Sequence, residues 1–241
     1  FHRAIRSGEM DNLDFAKTAK EKFNIKVVEY VNQFFFNKAQ DLSYLSEMKR
    51  RSHDMGVKNL LIMIDDEGSL GDSNKKRRIK AIDNHKKWVE AANYLDCESI
   101  RVNAQGDGSE IEVAQFSSES LSILAEFAKP YNIDIIVENH GGYSSNAQWL
   151  IDVIKNSGKE NVGTLPDFGN FCIKSKPNQL SDWGGLDGCA VEYDKYKGVE
   201  EMLPYARSVS AKSLNFDKDG NSIEIDFYKM IKIIKKFGYR D

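Results

Sequence analysis

Short apolar runs rich in β-branched residues alternate along this chain with longer amphipathic runs, at a period of roughly 35 residues. The short runs occupy 25–31, 59–64, 99–102, 133–138, 162–167 and, with more polar content, 209–214. Each has the length and composition of a strand. The longer runs occupy 12–23, 42–55, 74–95, 119–128, 145–156, 200–207 and 226–237 and read as helices. Asp11 stands where a helix N-cap belongs, and Gly56, Gly158 and Gly238 stand where helices stop.

Strand and helix in alternation build βαβ units and a parallel sheet. Six strands and seven helices are present, with a helix first and a helix last. One more strand at each end makes eight, the number that closes a barrel. The fold expected is therefore α/β, a (β/α)8 barrel apparently lacking most of the first and last strands in this chain. An open doubly wound sheet would carry a glycine-rich phosphate loop, and neither GxGxxG nor GxxxxGK[ST] occurs. No internal linker divides the 241 residues, so 1–241 is read as a single domain. Unpaired edges at both ends would favour association, which makes a homo-oligomer a possible state.

Hydrophobic residues make up 41% and charged residues 29%, a globular mix. The net charge is -3, and the one basic run, Lys75-Lys76-Arg77-Arg78, opens a helix. Neither a nucleic acid nor an anionic membrane is expected as partner. No apolar stretch reaches the roughly 20 residues of a membrane span. The three cysteines, Cys97, Cys172 and Cys189, are odd in number and form no CxxC pair, so free buried thiols are expected and a disulfide is not. The compartment stays open between cytoplasmic and, with an export signal removed, periplasmic.

Chemistry on a barrel gathers at the C-terminal ends of the strands. The run 133–138 ends on Glu138, followed by Asn139, His140 and two glycines. Strand alternation puts Glu138 and His140 on one face and Asn139 on the other. A carboxylate there needs a cation or hydrogen bonds. Asp167 ends the next run, and two neighbouring strand-end carboxylates suit one hard divalent cation. Asn170 follows three residues later as a candidate for substrate. Ser208, Ser210 and Lys212 share a face, and Lys212 could hold a substrate oxygen or carry a proton. Arg101 and Asn103 end another strand, and His2 is expected just past the missing first one; all three are candidate substrate contacts. Glu29 reads as a buried structural acid. His53 and His85 fall on helices, with surface or core-edge roles expected.

Val137-Glu138-Asn139-His140-Gly141-Gly142, Leu165-Pro166-Asp167-Phe168-Gly169-Asn170, Val209-Ser210-Ala211-Lys212 and the turn from Phe216-Asp217 to Gly220 resemble one superfamily. It is that of the xylose-isomerase-like TIM barrels, and within it the sugar phosphate isomerase/epimerase family. The likeness spans essentially the whole chain. It implies a carbohydrate substrate and a divalent metal (Mn, Mg or Zn) held by a Glu, an Asp, a His and a second Glu. Glu138 and Asp167 match the first two. Ser210 stands where the His is expected, Asn170 where a substrate-touching His is often found, and the second Glu would fall beyond Asp241. His140 is the one substitute ligand within reach of Glu138 by alternation.

The resemblance implies a sugar isomerase or epimerase. Glu138 would take a proton next to a carbonyl, metal assistance would stabilise the enediolate, and Lys212 or His140 would return the proton. The same abstraction in a lyase or dehydratase would expel a leaving group from an oxidised sugar or glycoside. A non-catalytic sugar-binding barrel is a further alternative. Apurinic endonucleases share the superfamily but use a His-rich site, and only four histidines occur here.

Overall fold

The computed structural model describes residues 1–177 and 188–239. Five parallel strands form the wall in the order of the chain: β1 (Val27–Val31), β2 (Lys58–Met63), β3 (Ser99–Asn103), β4 (Asp134–Glu138) and β5 (Val162–Leu165). Among the described residues eight α-helices accompany them: α1 (His2–Arg6), α2 (Phe15–Phe23), α3 (Leu42–Asp54), α4 (Lys75–Tyr94), α5 (Glu110–Ala128), α6 (Ala147–Ser157), α7 (Lys195–Met202) and α8 (Phe227–Lys236). This is the α/β architecture of a TIM barrel.

Alternation along each strand sorts the core into two parts. Val28, Tyr30, Ile100, Val102, Ile135 and Val137 point outward and join the main apolar core under the helices. Leu61, Ile136 and Leu165 form a separate small cluster, as expected of inward-facing barrel residues. Ile136 and Glu138 are two apart on β4, so Glu138 stands one layer above that cluster, toward the C-terminal mouth.

The sixth expected strand, 209–214, is not a regular strand. The chain meets β5 through two parallel bridges, Thr164 with Ala206 and Asp167 with Ser210. Three residue steps on the β5 side match four on the other, a bulge that breaks the ladder. Helix α5 begins nine residues before its expected start. Ser109 and Glu112 form a capping box that nucleates it, and the polar stretch after them hid the apolar stripe.

The cysteine expectation is corrected. Cys172 and Cys189 form a disulfide, while Cys97 is free and buried. Counting cysteines misses what the topology does. The strands β6 (Cys172–Ser175) and β7 (Cys189–Glu192) pair antiparallel and bring the two Cα atoms to 5.7 Å, within bonding span. The segment 174–193, rich in Gly, Asp and Ser, reads in the sequence as an irregular stretch following a strand end and placed to cover the mouth; it begins and ends in this hairpin. Trp183-Gly184-Gly185 lie outside the described residues.

Gly163 is where the bulged segment crosses β5. A Cβ there would sit 2.7 Å from the Tyr205 carbonyl oxygen and 2.8 Å from Arg207 Cγ. Gly163→Ala is therefore expected to destabilise the protein by about 1–3 kcal/mol, read as a lowered midpoint in denaturant titration. A wild-type midpoint would mean the 205–207 crossing is loose.

Candidate functional site

Glu138 ends β4 at 6% exposure, and Asp167, two residues past β5, is 2% exposed. Asn170 joins them. Its backbone N–H donates to Asp167 Oδ1 at 3.0 Å, and its side-chain amide donates to Glu138 Oε1 at 3.0 Å. Asp167 Oδ1 also accepts the Gly169 N–H at 2.8 Å, and Oδ2 accepts the Ser210 hydroxyl at 2.7 Å. Asn139, turned to the opposite face as expected, braces the arrangement from behind. Its side chain accepts the Asp167 N–H at 2.7 Å and donates to the carbonyls of Asp167 and Asn170, both at 3.0 Å.

Two cations flank the carboxylates. Arg101 points inward because Ile100 and Val102 point outward. Its Nε lies 2.9 Å from Glu138 Oε2, an ion pair whose angle leaves Nε without a true hydrogen bond. Its Nη1 lies 2.7 Å from Asp65 Oδ1. The Asn103 amide donates to the same Asp65 oxygen at 3.1 Å. Lys212 Nζ donates to Asn170 Oδ1 at 2.7 Å. Its stem runs past Gly169, where an added Cβ would meet Lys212 Cδ at 3.5 Å and Asp167 Oδ1 at 3.6 Å. Asn170 thus links the carboxyl of Glu138 to the ammonium of Lys212.

Burial pushes the Glu138 carboxyl up to about 7. Arg101 and Lys212 pull against that, while Asp167 and Asp65 add to it. Burial also raises Asp167, opposed by Lys212, Ser210 and two backbone N–H groups. For Asp65, burial works upward but loses to Arg101 and Asn103, so its carboxyl lies below the ordinary value. Burial, helped by Arg101, brings the His140 imidazole down to about 4. His140 is therefore neutral near pH 7 and acts as a hydrogen-bonding group rather than a cation.

Seven of the residues singled out in the sequence meet here: Glu138, Asp167, Asn170, Lys212, Arg101, Asn103 and His140. His2 does not join them. It is exposed on α1, with its ring edge-on to Phe34 at 5.0 Å, and no hydrogen bond or ion pair links it to the cluster among the described residues. Arg101 and Asn103 were read as substrate contacts; the structure engages both with protein carboxylates. The sequence reading missed Asp65. It directly follows the run 59–64, so the strand-end rule that found Glu138 would have found it. Glu29 is inward-facing on β1 and its carboxyl, raised by burial, feels the pull of Arg101.

The donor set does not fit a divalent cation. Among the described residues no three His, Cys, Asp or Glu side chains converge as ligands. Both Asp167 oxygens and Glu138 Oε1 accept protein hydrogen bonds, and Glu138 Oε2 faces a guanidinium. Ser210, at the place expected of a histidine ligand, spends its hydroxyl on Asp167.

Residues 17–241 match the family described as the xylose isomerase-like TIM barrel. The chain belongs to this family. No curated protein sequence matches it significantly. Among solved structures, a D-psicose 3-epimerase from Clostridium cellulolyticum H10, crystallised with D-tagatose, is 14% identical at a TM-score of 0.70. That alignment covers 96% of this chain and 77% of the epimerase. A 3-keto-D-glucoside 4-epimerase from E. coli is 14% identical at a TM-score of 0.71, covering 95% of this chain and 84% of that one. A xylose isomerase-like TIM barrel protein from Mycobacterium smegmatis in complex with magnesium is 14% identical at 0.67, covering 93% and 78%. At these identities the likeness is one of fold. Sugar epimerases recur among the solved structures of similar fold, and one of those structures is a complex with magnesium. No helix among the described residues is long and apolar enough to cross a membrane.

Proposed function

We propose that this protein is a sugar isomerase or epimerase that moves a proton on the carbon next to a carbonyl. The observation that carries this reading is the link through Asn170 between a buried carboxyl poised at about 7 and the Lys212 ammonium. Glu138, when ionised, takes the proton. The C–H electron pair moves into the carbonyl, whose oxygen becomes an enediolate oxygen. Arg101 and Lys212 supply the positive charge such an oxygen needs in a site with little water. For epimerisation Lys212 gives a proton to the other face of the same carbon and is reprotonated from solvent, while Glu138 releases its proton; for isomerisation Glu138 returns the proton to the former carbonyl carbon while the hydroxyl proton of the adjacent carbon passes to the former carbonyl oxygen. The divalent ion that the family resemblance implies has no matching ligand set among the described residues, so the two cationic side chains carry its charge role in this scheme.

The test is solvent exchange. Incubated in D₂O with free ketoses and with 3-keto-glycosides, the protein is expected to put deuterium on the carbon next to the carbonyl and to form an isomer. Loss of a leaving group instead would assign the lyase reaction. Absence of both exchange and elimination with every substrate tried would leave only a binding barrel.

The exchange rate is also expected to depend on pH in one direction. Glu138 must be ionised to act as base, and its carboxyl sits at about 7. Below that value the rate falls about tenfold per pH unit, and above it the rate levels off. A profile flat from about pH 5 to about pH 8 would remove Glu138 as the base.

A further inference from the structure

Beside the carboxylate cluster, at the ends of β2 and β3, lies a separate cavity of about 350 Å³. That is room for roughly ten waters at about 30 Å³ each. Asp65, Asp66, Ser69, His85, Asn103 and Gln105 line it. Asp65 also pairs with Arg101, and Arg101 reaches Glu138, so one ion-paired side chain separates the cavity from the proposed base. No Lys or Arg is among the residues that line it.

His85 is the informative member. It sits on α4 at 3% exposure, far more buried than a helix-surface histidine. Its Nδ1 lies 2.7 Å from the Ala81 carbonyl oxygen of the preceding turn. Nδ1 must therefore carry the proton, which leaves Nε2 as an acceptor. No hydrogen-bond partner for Nε2 is found among the described residues. Burial lowers the imidazole's pKa, which keeps it neutral. Asp65 adds a second acceptor. Its Oδ1 takes Arg101 and Asn103, while Oδ2 has no partner among the described residues. Both acceptors border one polar space, where the O–H groups of a ligand would satisfy them. Glu67, also at the wall, takes Trp88 Nε1 at 2.6 Å and Lys87 Nζ at 2.7 Å on its Oε1.

The lining decides the chemistry of what fits. Acceptors facing inward, in a lining that holds carboxylates and no Lys or Arg, call for O–H donors. They repel an anionic group such as a phosphate ester. We propose that this cavity is a subsite for the hydroxyl groups of an uncharged sugar, held by Asp65 and His85. The substrate's reacting carbon would then lie toward Glu138 on the far side of Arg101. The subsite deepens the isomerase reading, and rests on it only for which end of the sugar reacts.

The experiment uses the full chain with ¹³C-labelled histidine, whose four imidazoles give few signals; the His85 signal is assigned by its loss in His85→Gln. Probes are D-fructose, D-tagatose and D-fructose 6-phosphate. Binding is read at equilibrium, on wild type and on Glu138→Gln, so turnover is not needed. The neutral ketoses are expected to move the His85 signal, and D-fructose 6-phosphate to bind more weakly than D-fructose. His85→Leu, which removes the acceptor, and Ser69→Leu, which fills the cavity from a half-buried loop position, should each weaken ketose binding about tenfold or more. Ser69→Leu keeps the test decisive if His85→Leu does not fold. Tighter binding of the phosphate ester overturns the proposal. So does a silent His85 at saturating ketose, or wild-type affinity in the variants. Deuterium exchange with a silent His85 would sink the subsite and leave the reaction standing; a responsive His85 without exchange would do the reverse.

Discussion

Glutamine in place of Glu138 is expected to slow deuterium exchange into the substrate about 10²–10⁴-fold, the usual contribution of a positioned general base. The fold should survive, because glutamine keeps the shape and still offers an oxygen to the Asn170 amide that now donates to Oε1 at 3.0 Å. It also removes a carboxyl that is costly to ionise there, since burial has raised it to about 7. The expected signature is a collapse of the rate with near wild-type KM and an undiminished melting temperature. Full turnover by this variant would end the assignment of Glu138 as base. Loss of the fold along with the rate would show the carboxylate to be structural.

The second large effect concerns stability. Arg101 is 3% exposed and stands between Glu138 and Asp65. Arg101→Met fills much of the same volume but strands two carboxylates without their cation. Breaking a buried pair in this way typically costs about 3–5 kcal/mol. For a chain of this size that is a fall of roughly 10 °C in melting temperature. The pH dependence has a definite sign. Glu138 has its folded pKa above the ordinary value, so the fold holds its proton more tightly than the unfolded chain. The stability this gives is present at low pH and is lost as pH rises through about 7. Without Arg101 the neutral form is favoured further and the ionised form costs more. The deficit of Arg101→Met should therefore grow from about pH 5 to about pH 8. Adding Glu138→Gln should recover part of it in a double-mutant cycle. A deficit no larger than that of an exposed Arg→Met would show that the guanidinium is not buried between the two acids.

Much of this site could be read along the chain because the relevant rule is local. Strand period two, with chemistry at strand ends, selects Glu138, Asp167, Arg101 and Asn103 without any knowledge of contacts. The same rule applied to Asp65 would have completed the acid set. What stayed hidden depends on distance in space. Nothing in 208–212 announces that Ser210 would meet Asp167 through a bulge. His85 shows only helical spacing, and its place beside Asp65 follows from how α4 packs on β2 and β3. Arg101 was legible as a residue at the mouth but not as the partner of two carboxylates, because an ion pair is a relation between strands.

The bond between Cys172 and Cys189 ties the chain into a covalent ring just two residues after Asn170. A closed ring whose two ends are 17 apart in sequence has fewer shapes to lose on folding than an open one, worth about 3 kcal/mol in the polymer picture. Thiol reductant during purification would open that ring and return those shapes to the unfolded chain. The backbone leading away from Asn170 would then be held by noncovalent contacts alone, so preparations made with and without reductant are best regarded as two different molecules.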